Sequence, residues 1–152
     1  MNVFEEFRHL VKELERHKIR YALIGGVAMA FYTEPRFTRD IDFLIDSEDY
    51  EKCKALLEKA GYFESASPWT LRKAPLDLHH FLKVTDEDEM IIDILVPGSE
   101  EIRRIIRDSV EAESEKGKVR IARRRDLIWL KGIRDSKQDQ ADIEKLENEE
   151  SR

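Results

Sequence analysis

The sequence has 152 residues, which is enough for one compact domain with a real hydrophobic core, and we expect a single domain over residues 1–152. Hydrophobic residues make up 41% of the chain, but no apolar run approaches the roughly 18 residues of a membrane span and no basic-then-apolar leader is present, so we expect a soluble, cytoplasmic protein without a membrane partner. The net charge of −6 argues against a globally basic nucleic-acid binder.

The first third of the chain predicts a helix, a strand and a second short helix. Apolar residues from Phe4 to Leu14 recur at helical spacing, and Asn2 is a suitable N-cap. The stretch "RYALIGG" is typical of a short buried strand that two glycines end, and "VAMAFYT" is typical of a short helix that ends before Pro35.

The next segment, "RDIDFLID", alternates strictly and predicts a strand. Ser47 is a plausible cap for the helix "EDYEKCKALLEKA", which Gly61 ends. The single cysteine, Cys53, lies in this helix, where a packed small hydrophobe is the expected role.

The second half predicts a hairpin followed mainly by helices. The hairpin strands are "LDLHHFLKV" and "MIIDILV". They are followed by the helix "SEEIRRIIRDSV", the short edge strand "KVRIA", and two final helices, "LIWLKGIR" and "KQDQADIEKLENE", with Asp126 and Ser136 as plausible caps. The order favours an α+β fold with two layers, in which a small mixed β-sheet is packed with helices.

Two aspartates stand out in the apolar strand "RDIDFLID". Asp40 and Asp42 are two residues apart, so their side chains share one face, roughly 6 to 7 Å apart. Their repulsion is tolerable if the face is solvated, if Arg36 or Arg39 neutralises them, or if a cation lies between them. One or two carboxylates with substrate phosphates are a usual Mg²⁺ environment, so a metal and nucleotide site is one interpretation.

Gly25 and Gly26 lie between the first strand and the following helix. Backbone N–H groups at such a helix start can bind phosphate, although a tight turn that merely needs glycine explains the same pair. No dinucleotide-binding glycine motif and no Walker lysine pattern is present.

Asp93 is a third carboxylate, in the middle of the apolar strand "MIIDILVP". An unpaired aspartate there is costly, so we expect a cation, a hydrogen-bonded partner or an edge-facing position. If this strand pairs beside "DIDF", three carboxylates converge, which suits two ions in a phosphoryl displacement.

The stretch "IGGVAMAFYTEPRFTRDIDF" resembles the signature of the DNA-polymerase-β-type nucleotidyltransferase superfamily: a glycine turn, a spacer, then Asp-hydrophobic-Asp. The form from Arg36 to Asp42, and the ending "VRIARRRDLIWLKGIRDSKQDQADIEKL", are similar to the small branch that contains abortive-infection type nucleotidyltransferase toxins. The resemblance covers most of the chain.

The resemblance implies roles for individual residues. Gly25 and Gly26 would bind the triphosphate of a nucleotide, and Lys131 would reach a phosphate. Asp40 and Asp42 would hold two Mg²⁺ ions, with Mn²⁺ as an alternative, and Asp93 would share the catalytic metal and help to deprotonate the acceptor. Thr38 and Arg39 would touch phosphate or have only a structural role, and Asp142 would tether the last helices.

The implied activity is transfer of a nucleoside monophosphate from an NTP to a hydroxyl of RNA, protein or a small molecule. Toxin-like modification of tRNA or protein, with an antitoxin partner or a homodimer, and transfer to an antibiotic are both open. The alternative to an enzyme is a non-catalytic binding module that keeps the same fold.

Three further side chains have open interpretations. His79 and His80 fall on opposite faces of the predicted hairpin strand, and one of them could approach the carboxylates, with packing or surface roles as the alternative. Trp69 could stack on a base, although core packing is expected, and Trp129 is expected in the core.

Overall fold

The computed structural model describes residues 2–34, 40–114 and 117–148. The helices are α1 Val3–Arg16, α2 Gly25–Met29, α3 Tyr50–Lys59, α4 Glu100–Arg107, α5 Arg124–Arg134 and α6 Lys137–Asn148. The strands are β1 Tyr21–Ile24, β2 Asp40–Ile45, β3 Phe63–Glu64, β4 Trp69–Thr70, β5 Leu76–Val84, β6 Glu89–Pro97, β7 Val110–Ser114 and β8 Gly117–Ile121.

The strands in the described ranges form one mixed sheet in the order β3-β5-β6-β2-β1-β8-β7, and β4 pairs with β5 beside β3. The central strand β2 runs antiparallel to β1 and parallel to β6. The β5–β6 pair is the predicted antiparallel hairpin. The carboxylate strands β2 and β6 are therefore neighbours at the centre of the sheet.

Helices pack on the sheet through apolar side chains. On one face, Phe7 of α1 stacks on Phe43 at 6.4 Å between ring centroids, and Tyr21 meets Phe43 edge-on at 5.8 Å. On the other face, Leu127 and Leu130 of α5 are buried. The predicted mixed sheet packed with helices is confirmed, and none of the described helices is both long and apolar enough to span a membrane.

Several local expectations hold. Asn2 caps α1 by accepting hydrogen bonds from the backbone N–H groups of Phe4 and Glu5. Ser136 caps α6, since its hydroxyl accepts the N–H of Asp139 at 3.0 Å. Cys53 is buried, which agrees with a packing role.

Other local expectations are wrong. The segment "KVRIA" is not an edge strand, because β8 lies between β1 and β7. The helix expected to reach Val110 ends at Arg107, and Val110 begins β7. Asp46 rather than Ser47 caps the single 3-10 turn before α3, and Asp126 lies in the first turn of α5 instead of at its N-cap. These errors lie at short elements whose state depends on their neighbours.

Candidate active site

One row of residues crosses four strands of the sheet. His80 on β5 is opposite Asp93 on β6, Asp93 is in register with Asp42 on β2, and Asp42 is opposite Ile24 on β1. Side chains that are in register point to the same face, so both carboxylates and the histidine share it. The structure pairs β6 beside β2, the condition under which the sequence predicted that Asp42 and Asp93 converge.

The glycine turn lies against Asp42. Gly25 follows Ile24 directly and has φ +73°, in the left-handed region that favours glycine. A Cβ at Gly25 would lie 2.0 Å from Oδ2 of Asp42. Only a glycine backbone can therefore come this close to the carboxylate, while Gly26 is buried in the first turn of α2.

Asp42 is a carboxylate in an unfavourable environment. It is 5% exposed, and its Oδ1 has no hydrogen-bond partner in the described part of the chain. Burial is the main reason that the pKa of Asp42 rises to about 7, and repulsion from Asp93 and Asp40 adds to it. The positive charges of Arg134 and Lys131 partly offset this rise in the pKa of Asp42.

Asp93 has a specific partner. Nδ1 of His80 lies 2.6 Å from Oδ1 of Asp93, so the ring nitrogen and the carboxylate share a short hydrogen bond. The side chain of His80 is 31% exposed. His80 is thus the histidine that approaches the carboxylates, whereas His79 contacts Tyr50 and Glu64 on the other face.

Asp40 is half-buried at the start of β2, in register with Ile91. It shares the face of Asp42 because it is two residues away. Thr38 and Arg39, for which a phosphate contact or a structural role was predicted, lie outside the described residues, as does Arg36.

Lys131 is buried in an ion pair. Its Nζ lies 2.9 Å from Oδ2 of Asp142 and 3.9 Å from Oδ1 of Asp139. Asp142 also accepts a hydrogen bond from Gln138 at 2.9 Å. The pair joins α5 to α6, which is the tether predicted for Asp142.

Arg134 is a cation near the carboxylates that sequence reasoning missed. Its Nη1 lies 3.9 Å from Oδ1 of Asp42, too far for a hydrogen bond but close enough to attract the charge. Arg134 also lines a small cleft with Gly25 and Lys131. The sequence does contain a signal for Arg134: it lies three residues after Lys131, which places both cations on one side of a helix.

Both tryptophans are exposed, and the expectation that each packs in the core is wrong. Trp69 on β4 is 48% exposed and Trp129 on α5 is 44% exposed. Trp69 is opposite Leu78 on β5.

The site has features that fit a divalent cation, although within the described ranges no three His, Cys, Asp or Glu side chains are already arranged to hold one ion. Asp42 offers a carboxylate oxygen without a hydrogen-bond partner. A cation between Asp42 and Asp93 would relieve their repulsion, and hard cations prefer carboxylate oxygens. The donor chemistry therefore suits Mg²⁺ or Mn²⁺.

Replacing Gly25 by alanine tests the close approach of the turn to Asp42. We expect Gly25→Ala to lower the free energy of unfolding by about 2 to 4 kcal/mol, because the new Cβ overlaps Asp42 and the positive φ strains an L-residue. Thermal unfolding measures the change. Gly132→Ala is the control, since nothing lies within 4 Å of its added Cβ inside α5, and it should stabilise by about 0.5 to 1 kcal/mol. Equal effects at both positions would contradict the described turn.

Solved structures with the same fold include nucleotidyltransferases. A lincosamide antibiotic adenylyltransferase bound to lincomycin matches at a TM-score of 0.65 and 17% identity, over 94% of this chain and 95% of that one. The protein ANT(2")-Ia in complex with adenylyl-2"-tobramycin matches at a TM-score of 0.61 and 13% identity, over 94% of this chain and 86% of that one. An antigenic nucleotidyltransferase-like protein from Paracoccidioides brasiliensis matches at 0.60 and 15% identity, over 95% and 74%.

These matches confirm the fold that the resemblance to the polymerase-β-type superfamily implied, while the toxin-like branch stays a prediction. A comparison with curated proteins finds no match. A family model described as "Uncharacterised nucleotidyltransferase" matches residues 1–133, most of the chain. The protein belongs to this family, which confirms the predicted enzyme class, a nucleotidyltransferase.

Proposed function

We propose that this protein transfers a nucleoside monophosphate from an NTP to a hydroxyl and releases pyrophosphate, in a reaction that depends on a divalent metal ion. The observation that carries the proposal is the row across the sheet, in which Asp42 and Asp93 are in register and Gly25 lies against Asp42. It combines paired carboxylates with a glycine turn at the start of a helix, the two elements on which we base phosphoryl transfer.

The glycine turn and the nearby cation would bind the triphosphate. The backbone N–H groups of Gly25 and Gly26, at the start of α2, would donate hydrogen bonds to phosphate oxygens. Arg134 would add positive charge beside them, since it already lies near Asp42. Lys131 is less suited to the phosphate contact that the resemblance implies, because Asp142 holds its ammonium group.

Asp42 and Asp93 would hold Mg²⁺, with Asp40 as a third oxygen donor and Mn²⁺ as an alternative ion. When bound, the metal lowers the pKa of the acceptor hydroxyl and neutralises charge on the phosphates. The resemblance implies two ions, and Asp40, Asp42 and Asp93 would hold both.

Asp93 is the group best placed to take the acceptor's proton. His80 occupies Oδ1, and Oδ2 has no hydrogen-bond partner among the residues that the structure describes. The acceptor oxygen forms a bond to the α-phosphorus, the bond to the bridging oxygen breaks, and its electron pair leaves with pyrophosphate. No covalent enzyme intermediate is needed.

The acceptor class has two candidates. A small molecule such as an antibiotic is favoured by the match to a lincosamide antibiotic adenylyltransferase bound to lincomycin and to ANT(2")-Ia in complex with adenylyl-2"-tobramycin. Modification of tRNA or protein, with an antitoxin partner or a homodimer, follows only from the toxin-like resemblance.

The test has two stages. First, thermal unfolding is measured with Mg²⁺ and ATP together and separately, because a ligand that binds the folded state raises the midpoint. We expect a shift only with both, reduced in Asp93→Asn and retained in Asp86→Asn, which makes the same change at an exposed turn. Second, labelled NTPs are incubated with cell extract to detect a labelled acceptor.

The outcomes separate catalysis from binding. A metal-dependent shift with a labelled acceptor that Asp93→Asn abolishes supports the transferase. Nucleotide binding that needs no metal and survives Asp93→Asn would exclude the proposed site. The absence of any nucleotide shift would favour a non-catalytic module.

A further inference from the structure

We propose that the acceptor of this enzyme carries its reactive hydroxyl on a sugar ring, and that Trp69 and His80 form the surface that binds it. This inference rests on the proposed function. It adds the side from which the acceptor approaches and the side chains that contact it.

The order of the strands sets the direction of approach. In an in-line displacement, the attacking and leaving oxygens lie on opposite sides of the transferred phosphorus. The glycine turn that would hold the leaving pyrophosphate lies at β1, on one side of Asp42. The acceptor therefore approaches across Asp93 from the opposite side, where β5 and β4 lie.

Trp69 lies on that side and on the correct face. It is opposite Leu78, and Leu78 is two residues before His80, so all three side chains point to the face that carries Asp93. Two strand spacings and a two-residue offset place the Cα of Trp69 roughly 12 Å from that of Asp93.

The chemistry of these side chains favours a ring. An exposed indole offers a flat apolar surface on which a sugar ring or its attached base can lie. His80 keeps its Nε2 for a neighbouring hydroxyl while Nδ1 bonds to Asp93. A nucleoside or a two-ring sugar compound can bridge from Asp93 to Trp69 within one molecule.

The two tryptophans provide a matched experiment. Trp129→Phe leaves Trp69 as the only indole, and Trp69→Phe leaves Trp129, with a similar exposure on α5. Fluorescence of each variant, with Mg²⁺ and a non-hydrolysable ATP analogue, is titrated with lincomycin, tobramycin and a short RNA with a free 3′ end. We expect at least one probe to change the emission of Trp69 and to leave that of Trp129 unchanged.

Kinetics with the responding probe complete the test. Trp69→Ala should raise the acceptor KM roughly tenfold, with kcat and the KM for ATP within about twofold. Which probe responds distinguishes a small sugar compound from an RNA end. No response of Trp69 to any probe, an equal response of both tryptophans, or labelling of protein hydroxyls alone would overturn the proposal. The rise of the unfolding midpoint with Mg²⁺ and ATP does not involve Trp69. If the wild type shows no such rise, the proposed function is overturned instead.

Discussion

Replacing Asp42 by asparagine is expected to lower transfer activity about 1000-fold or more while the fold is kept. Asp42 is the carboxylate nearest both the glycine turn and Asp93. If Asp42 holds the metal as proposed, its loss removes several kcal/mol of transition-state stabilisation, and each 1.36 kcal/mol is about tenfold in rate. The measurement is the transfer rate with labelled NTP and saturating Mg²⁺.

The same variant should be more stable than the wild type when metal is removed. The pKa of Asp42 is raised to about 7 in the folded state, chiefly by burial. The charged form therefore costs stability, a cost that is absent near pH 4, grows as the pH rises toward 7 and is complete above it. We expect Asp42→Asn to gain roughly 2 to 4 kcal/mol at pH 8 in a chelator, and little at pH 4.

One comparison variant controls this prediction. Asp86→Asn changes an exposed carboxylate in the β5–β6 turn and should alter neither the activity nor the stability. Denaturant unfolding at several pH values gives the free energies. An Asp42→Asn protein that stays active, or one that is less stable than the wild type at pH 8 without metal, would contradict the described environment of Asp42.

Breaking the buried ion pair between α5 and α6 should have the largest effect on stability. Lys131 and Asp142 have side chains 6% and 1% exposed, and their charged atoms lie 2.9 Å apart. We expect Asp142→Leu or Lys131→Met alone to lower the free energy of unfolding by about 3 to 5 kcal/mol, because each removes the nearest opposite charge from a buried charged group.

The double variant separates a structural role from phosphate binding. Lys131→Met with Asp142→Leu should recover most of the lost stability, since apolar replacement of both partners is often neutral. If the double variant also shows the Mg²⁺ and ATP shift of the wild type, Lys131 only joins the helices. If it folds but loses the shift, Lys131 contacts the nucleotide, as the resemblance implies. If the stability loss of the double variant equals the sum of the losses in the two single variants, Lys131 and Asp142 are not coupled.

Much of the fold could be predicted because long apolar patterns specify it. The hairpin strands β5 and β6 are nine residues long and rich in apolar side chains, and the two-residue spacing of Asp40 and Asp42 requires a shared face. The short strand β7 was missed, since it has only five residues and forms a strand by pairing with β8.

In the candidate site, too, some features could be predicted from the sequence and others could not. Its carboxylates and glycines were recognisable because Asp in an apolar strand and a glycine pair at a strand end are unusual in themselves. Exposure of the tryptophans was predicted wrongly, because whether an aromatic is covered depends on which element packs over it.

The sequence by itself determined which carboxylates share a strand face, where the glycine turn follows a strand, and to which superfamily the chain is similar. The tertiary structure alone decided that β6 lies beside β2, that His80 pairs with Asp93, that Asp142 holds Lys131 and that Arg134 lies near Asp42. The physical reason is that side-chain direction follows from the local backbone period, whereas contacts between distant residues follow from strand order and helix packing, which the whole core sets.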